Sequence, residues 1–399
     1  MGKDADFNVL MLGPRRVGKS SVLSAMLKSF EMLEQKTGLC FQADEGTKIV
    51  MREKLSDLEQ LFVLHAANPE KPFSTLLGQE NGIEYSPFTS GVIPYRFNFF
   101  LVDKKGKRKK TLTYSIEFTD IAGEYMTNDL EMAGSTIVDR YMKSQLVVIA
   151  IDSPALMEGK IKNGVGEFHP LINVPDSAYH IISNADCKIK EKLKNKKAAP
   201  RMVLFVPLKC EKYYHEGRME ELSEKVKIGY SNVFDYLKGC EEYIVAITPI
   251  LTLGDIVFDH YGTRTDQDGN QRVAMMERGR EDGLFAMPEL PMYRLRNASC
   301  TTINPLYCEQ PLMYLCKYVL KTAGKQKSFT LSEQVIDASK KAMWIYLFGI
   351  YYLMFSGGKK LLKDRDMKKY MENLCGHIKT SGDGYELIQD NLNIIGKDV

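Results

Sequence analysis

None of the eight cysteines (40, 187, 210, 240, 300, 308, 316 and 375) stands in a C-x-x-C pair, and they are scattered through 399 residues. This argues for reduced thiols in a cytoplasmic protein over a disulfide frame or a zinc site. Cys300, Cys308 and Cys316 are evenly spaced, but an eight-residue step does not converge ligands on one metal, so they read as core thiols. Six histidines are equally scattered. Charge of one sign is also lacking. A net charge of +3 is too small to argue for an anionic partner, and no nucleic acid is expected. No apolar run reaches the roughly 20 residues of a membrane span. The longest, residues 342–355, has fourteen and reads first as a buried helix, with a membrane surface or a partner as alternatives. The start, Met1-Gly2-Lys3-Asp4-Ala5-Asp6, is polar and runs straight into a strand pattern, which leaves no signal peptide in view. No internal repeat or low-complexity tract is present. At 44% hydrophobic and 26% charged, the composition is that of a globular protein with a sizeable core.

What is there begins with Gly13-Pro14-Arg15-Arg16-Val17-Gly18-Lys19-Ser20, placed between an apolar strand pattern (7–12) and a helical one (21–27). Strand, glycine-bounded loop and helix in that order form a phosphate-binding P-loop. Its backbone N–H groups, from Gly13 through Arg16, Val17, Gly18, Lys19, Ser20 and Ser21, would cradle phosphate oxygens at a helix start. Lys19 would reach the β- and γ-phosphates, and the Ser20 hydroxyl would hold Mg²⁺. The chain is therefore expected to bind a nucleoside triphosphate.

Downstream, residues 47–67 repeat apolar positions near a 3.6 period and predict a helix. Proline and glycine punctuate 68–94, which predicts a long loop. Strand patterns at 95–102 and 111–119 flank a tip with six basic residues, most simply a solvated turn. The second strand runs into Asp120-Ile121-Ala122-Gly123-Glu124. Behind a P-loop, an Asp at a strand end can position Mg²⁺ through water, and a following Gly can sense a γ-phosphate. A helix near 135–143 and buried strand patterns at 145–152, 202–208 and 243–250 follow. Between them lie an expected loop (153–180) and helices at 181–197 and 219–237. Strands alternating with helices predict a doubly wound α/β sheet, mostly parallel with one antiparallel edge hairpin. Both motifs then lie at the carboxyl ends of strands, where such sheets bind ligands. Residues 252–304 read as irregular. Helix resumes after Pro305, and 325–399 reads as a helical tail.

These motifs, in this order, resemble the Ras-like GTPase superfamily of the translation-factor-related class. The resemblance covers about residues 5–322. It implies a P-loop GTPase-like domain over 1–322 with insertions at about 37–94, 153–199 and 252–304, and a C-terminal helical region from 323 to 399. It implies GTP and GDP as ligands with Mg²⁺ as cofactor, held by Ser20, Thr89 and Asp120, with Thr75 as the fallback for Thr89. Leu208-Lys209-Cys210-Glu211 resembles the guanine-reading Asn/Thr-Lys-x-Asp. By that resemblance Lys209 packs over the base, Glu211 accepts its hydrogens and Thr248 belongs to the supporting loop. Two departures bear on catalysis. Glu124 stands where many members carry a water-orienting Gln. Arg15 and Arg16 replace small residues and would obstruct the catalytic water, act as a built-in arginine finger, or point to solvent. The insertions and the 308–315 helix also resemble bacterial double-GTPase-type proteins of conflict and defence systems. The resulting expectation is a GTP-binding switch with slow hydrolysis and an effector protein reading its switch loops. An ATPase on the same fold and a non-hydrolysing nucleotide-binding scaffold are the alternatives.

Overall fold

The computed structural model describes residues 6–14, 17–37, 39–67, 92–101, 114–121, 134–193, 200–265, 269, 271–280, 283–288, 291–297, 299–325 and 365–396. Arg15, Arg16, Thr75, Thr89, Gly123, Glu124 and the 342–355 run lie outside them.

The chain opens with strand β1 (Phe7–Leu12), helix α1 (Lys19–Thr37), strand β2 (Leu39–Ala43) and helix α2 (Glu45–Ala67). A hairpin follows, β3 (Val92–Leu101) with β4 (Tyr114–Ile121), then α3 (Gly134–Lys143) and β5 (Leu146–Asp152). After α4 (Ser153–Met157), the short pair β6 (Ile161–Lys162) and β7 (Val165–Gly166), and α5 (His169–Ile172), comes α6 (Pro175–Leu193). Next are β8 (Arg201–Leu208), α7 (Glu211–His215), α8 (Met219–Gly229), α9 (Ser231–Lys238) and β9 (Tyr243–Ile247). An excursion of six strands spans β10 (Ile256–Tyr261), β11 (Thr263–Thr265), β12 (Gln271–Val273), β13 (Met275–Arg280), β14 (Gly283–Pro288) and β15 (Pro291–Leu295). The chain closes with α10 (Gln310–Lys325), α11 (Arg365–Cys375), β16 (Ser381–Gly382) and β17 (Tyr385–Asp390).

One nine-stranded sheet organises these elements, in the order β16-β17-β9-β8-β5-β1-β4-β3-β2. Its middle five strands, β4, β1, β5, β8 and β9, are parallel. Both of their faces are covered, so in β1, β5, β8 and β9 the apolar runs split between two cores, whereas β4 alternates and buries Glu117 and Thr119. Val9, Met11, Val148, Ala150, Leu204 and Val206 face α1 and α10. Leu10, Leu12, Ile149, Ile151, Val203 and Phe205 face α3, α6, α8 and α9.

Several local expectations need correction. Between the two helices predicted at 21–27 and 47–67 lies a strand that no pattern announced: β2 adds an antiparallel edge strand beside β3, with Phe41 stacked on Phe30 at 4.4 Å. A five-residue strand is too short for periodicity to reveal. The 153–180 stretch is not one loop, because α6 already starts at Pro175. That proline sits at the first helical turn, where its missing N–H costs nothing, just after Val174 in the left-handed region (φ 42°). The 219–237 helix breaks into two at Tyr230. The irregular reading of 252–304 misses antiparallel pairs, chief among them β10 with β15.

The largest difference is at the C-terminus. An entirely helical tail is not what the described residues show, and β9 is not the last strand. β17 pairs antiparallel with β9 and gives the sheet a second antiparallel edge. Buried Gln389 pins it, donating to the carbonyls of Leu237, Cys240 and Tyr243 at 3.3, 2.8 and 3.1 Å. Polar Tyr-Glu-Leu-Ile-Gln-Asp carries too weak a pattern to announce a sheet strand. Replacing Gln389→Ala removes these three buried hydrogen bonds, and is expected to cost about 1–3 kcal/mol. The shift of the urea midpoint at unchanged slope checks it.

Candidate functional site

β1 ends at Leu12, and the chain must turn sharply against its neighbour. A Cβ on Gly13 (φ 149°) would lie 2.9 Å from the Ala150 carbonyl oxygen and 3.0 Å from its Cβ, so only glycine lets β1 and β5 approach here. Gly18 (φ 111°) turns the chain back into α1. Its carbonyl accepts from Val22 N–H at 2.9 Å, which starts the helix. The N-terminus of α1, nineteen residues long, therefore points out at the carboxyl end of the sheet.

The sequence-predicted phosphate and metal residues that are described do converge. Lys19, 7% exposed, donates from Nζ to the carbonyls of Gly13 (2.8 Å) and Pro14 (3.1 Å). It stands 3.7 Å from Asp120 Oδ1. Ser20 Oγ donates to Asp120 Oδ2 at 3.2 Å. Asp120 comes from β4, which lies parallel to β1 with Met11 opposite Asp120. Burial pushes the Asp120 carboxyl up and the Lys19 ammonium down, and their mutual attraction opposes both shifts. Asp120 Oδ1 is buried with no hydrogen bond. Two further residues join this end without having been signalled by any motif. The Tyr95 hydroxyl of β3 meets Ser20. Lys54 of α2 lies close enough to Asp120 to interact with its charge. Only the packing of α2 and β3 beside β4 could have revealed them.

An all-oxygen set with one unsatisfied buried carboxylate oxygen fits a hard divalent cation such as Mg²⁺. Ser20 and Asp120 are the described residues that would hold it.

The residues expected to read the base are also brought to one end, but inside the protein. Lys209 sits in the left-handed region (φ 56°), rare for a side-chain-bearing residue. Its Nζ pairs with Asp152 Oδ2 at 2.6 Å and also meets the Tyr293 hydroxyl. Asp152 is itself fixed: its Oδ1 accepts from Ala155 N–H at 3.0 Å, and its backbone is clasped by the Asn173 amide. Glu211 is 1% exposed, with Oε1 accepting from Leu253 N–H at 2.7 Å and Oε2 without a hydrogen bond. Burial pushes its carboxyl up to about 7, against the opposing pull of the Leu253 N–H and Lys209. Thr248 is fully buried; its N–H donates to Phe205 O at 2.8 Å and its hydroxyl oxygen has no partner. Asp152 and Tyr293 belong to no motif and could be found only from the fold.

No family model matches this chain, and no curated protein matches it in sequence. Among solved structures it is similar to the GTPase-like domain of Ski7 from S. cerevisiae in two forms. The GTP-bound form matches with a TM-score of 0.32 at 11% identity. The form bound to GDP and inorganic phosphate matches with a TM-score of 0.31 at 12% identity. In each case the match covers 63% of this chain and 44% of the other, so it spans less than half of their length.

Two outcomes test this geometry. Gly13→Ala forces its Cβ against backbone and is expected to destabilise the fold by about 1–3 kcal/mol, read as a lowered urea midpoint. Glu211 binds its proton more tightly folded than unfolded. Its contribution is thus complete below about pH 4.5 and is lost as pH rises toward about 7. Glu211→Gln is expected to flatten the fall in stability between these values, measured by urea unfolding in a pH series.

Proposed function

We propose that this chain binds a nucleoside triphosphate with Mg²⁺ at the carboxyl end of its sheet and works as a GTPase-type switch with slow hydrolysis. The observation that carries this reading is the convergence of Lys19, Ser20 and Asp120 behind the glycine-bounded turn at Gly13 and Gly18. Lys19 would exchange the carbonyls of Gly13 and Pro14 for the β- and γ-phosphate oxygens, which accept more strongly because they are charged. The Ser20 hydroxyl and the Asp120 carboxylate would part to hold the cation between them, as would Thr89 on the sequence resemblance. Mg²⁺, once bound, supplies charge neutralisation on the β- and γ-oxygens. Gly123 would couple the presence of the γ-phosphate to the loop it starts, for an effector protein to read. Slow turnover rests on Glu124 in place of a water-orienting Gln and on Arg15 and Arg16 in the loop.

The ligand class this supports is a nucleoside triphosphate, GTP included. The phosphate end carries it, whereas the base end rests on residue types alone. The domain extending from residue 1 to about 322 would hold the site, with β17 completing its sheet.

Titration of a ribose-labelled fluorescent GTP analogue, with and without Mg²⁺, tests the reading. Lys19→Ala removes a charged partner worth about 2–5 kcal/mol and is expected to weaken binding by about 30-fold or more. Asp120→Asn is expected to remove most of the dependence on Mg²⁺. Binding that survives Lys19→Ala unchanged would falsify the proposal. Phosphate release over hours, lost in Lys19→Ala, separates a slow hydrolase from a scaffold.

A further inference from the structure

The excursion between β9 and α10 is tied shut at its neck. Leu251 and Leu306 exchange backbone hydrogen bonds at 3.1 and 2.8 Å. Gly254 (φ 67°) lies so close to Asn304 that an added Cβ would sit 2.6 Å from its carbonyl oxygen. From that neck β10 and β15 rise as one antiparallel pair, and their aromatic side chains form a core of their own. Phe258 meets Tyr261 at 5.1 Å and Tyr293 at 6.1 Å, edge to face. Phe62 and Leu55 of α2 join the same cluster, as do Ala155 and Phe168. Lys28 of α1 adds a polar tie, donating to Thr302 Oγ1 and Ile303 O at 3.1 and 3.2 Å. The excursion is thus clamped to α1, α2 and the segment after β5.

The residues of the base-reading motif hold it there. Glu211 spends Oε1 on Leu253 N–H, at the neck. Lys209 spends its ammonium on Asp152 and on Tyr293, the central aromatic of β15. Tyr293 is 8% exposed, and Lys209, 16% exposed at its side chain, has its ammonium committed to Asp152 at 2.6 Å. A guanine reader needs its carboxylate free to take two ring hydrogens, and its lysine stem open to stack. The phosphate end shows no such commitment to a neighbouring insertion: Lys19 meets the carbonyls of the loop it would serve and Asp120 at the end of β4.

Taking the triphosphate reading above as given, we infer that Lys209 and Glu211 have been turned from base recognition to holding the β10–β15 excursion, so that this site selects its ligand by the polyphosphate chain and not by the base. Tyr293 and Asp152 are then the residues that set this specificity. The ligand class is any nucleoside triphosphate, or a linear polyphosphate of similar length.

The test is a competition on the full chain with Mg²⁺, displacing the ribose-labelled GTP analogue with GTP, ATP and inorganic tripolyphosphate. GTP and ATP are expected to compete within about threefold of each other, and tripolyphosphate within about tenfold of both. A working guanine reader, built on buried hydrogen-bonding groups, separates bases by several decades. A GTP preference over ATP beyond about 30-fold therefore overturns this inference while leaving the triphosphate reading standing. Failure of all three competitors, with no direct binding of the analogue, overturns both. Tyr293→Ala removes the hydroxyl that Lys209 meets, together with its ring, and is expected to raise the advantage of GTP over tripolyphosphate about threefold or more. Tyr293→Phe, which keeps the ring packed on Phe258 and removes only that hydroxyl, is expected to move the ratio in the same direction. A ratio unmoved in Tyr293→Ala overturns the role given to Tyr293.

Discussion

Everything at the carboxyl end of this sheet depends on β1 and β4 lying side by side in one register. Met11 stands opposite Asp120. One residue beyond Met11 the first strand ends and the glycine turn begins. That register alone brings a carboxylate a hundred residues away to within 3.2 Å of Ser20 and 3.7 Å of Lys19. A slip of one residue would turn Asp120 toward the opposite face, since side chains alternate along a strand. The apolar rows on both faces prevent the slip, because every strand in the middle of the sheet is buried on both sides.

The same sheet supports two ends with different chemistry. At the β1–β4 end, a lysine, a hydroxyl and a carboxylate are packed together with one carboxylate oxygen unsatisfied. Such an arrangement is costly in isolation and gains when a cation and an anion replace the internal contacts. At the β8–β9 end, Lys209 and one oxygen of Glu211 are already partnered by the chain itself, while Glu211 Oε2 and the Thr248 hydroxyl have no hydrogen bond, and the excursion after β9 rests on the partnered groups. The left-handed backbone of Lys209 is the local strain that aims its side chain back toward Asp152 rather than outward. Asp152 is able to take that role because Asn173 and the start of α4 hold it in place.

Much of this was legible in the sequence. Gly13, Gly18, Lys19 and Ser20 stand out as a local pattern between a strand and a helix, although the close approach of Ala150 that Gly13 allows is visible only in the fold. β1, β5, β8 and β9 were readable for a related reason, since strands buried on both faces are largely apolar, whereas β4 was readable from its alternation. The alternation of strand and helix then dictated a parallel sheet, and with it the end of the sheet at which a ligand would lie. Short or polar elements were not readable. β2 has five residues, and β17 has one strongly buried aromatic and a glutamine whose bonds are all to distant carbonyls.

The sequence alone determined the glycine-bounded turn before α1 and the α/β alternation, because both are set largely by interactions between residues near one another in the chain. Only the tertiary structure decided what the Leu208-Lys209-Cys210-Glu211 segment touches. Its residue types are suited equally to a guanine, to Asp152 and to the Leu253 N–H, and the choice among those partners is made by contacts 42 to 57 residues apart in sequence. A motif records which groups are present at a spacing, whereas the fold decides whether those groups are free.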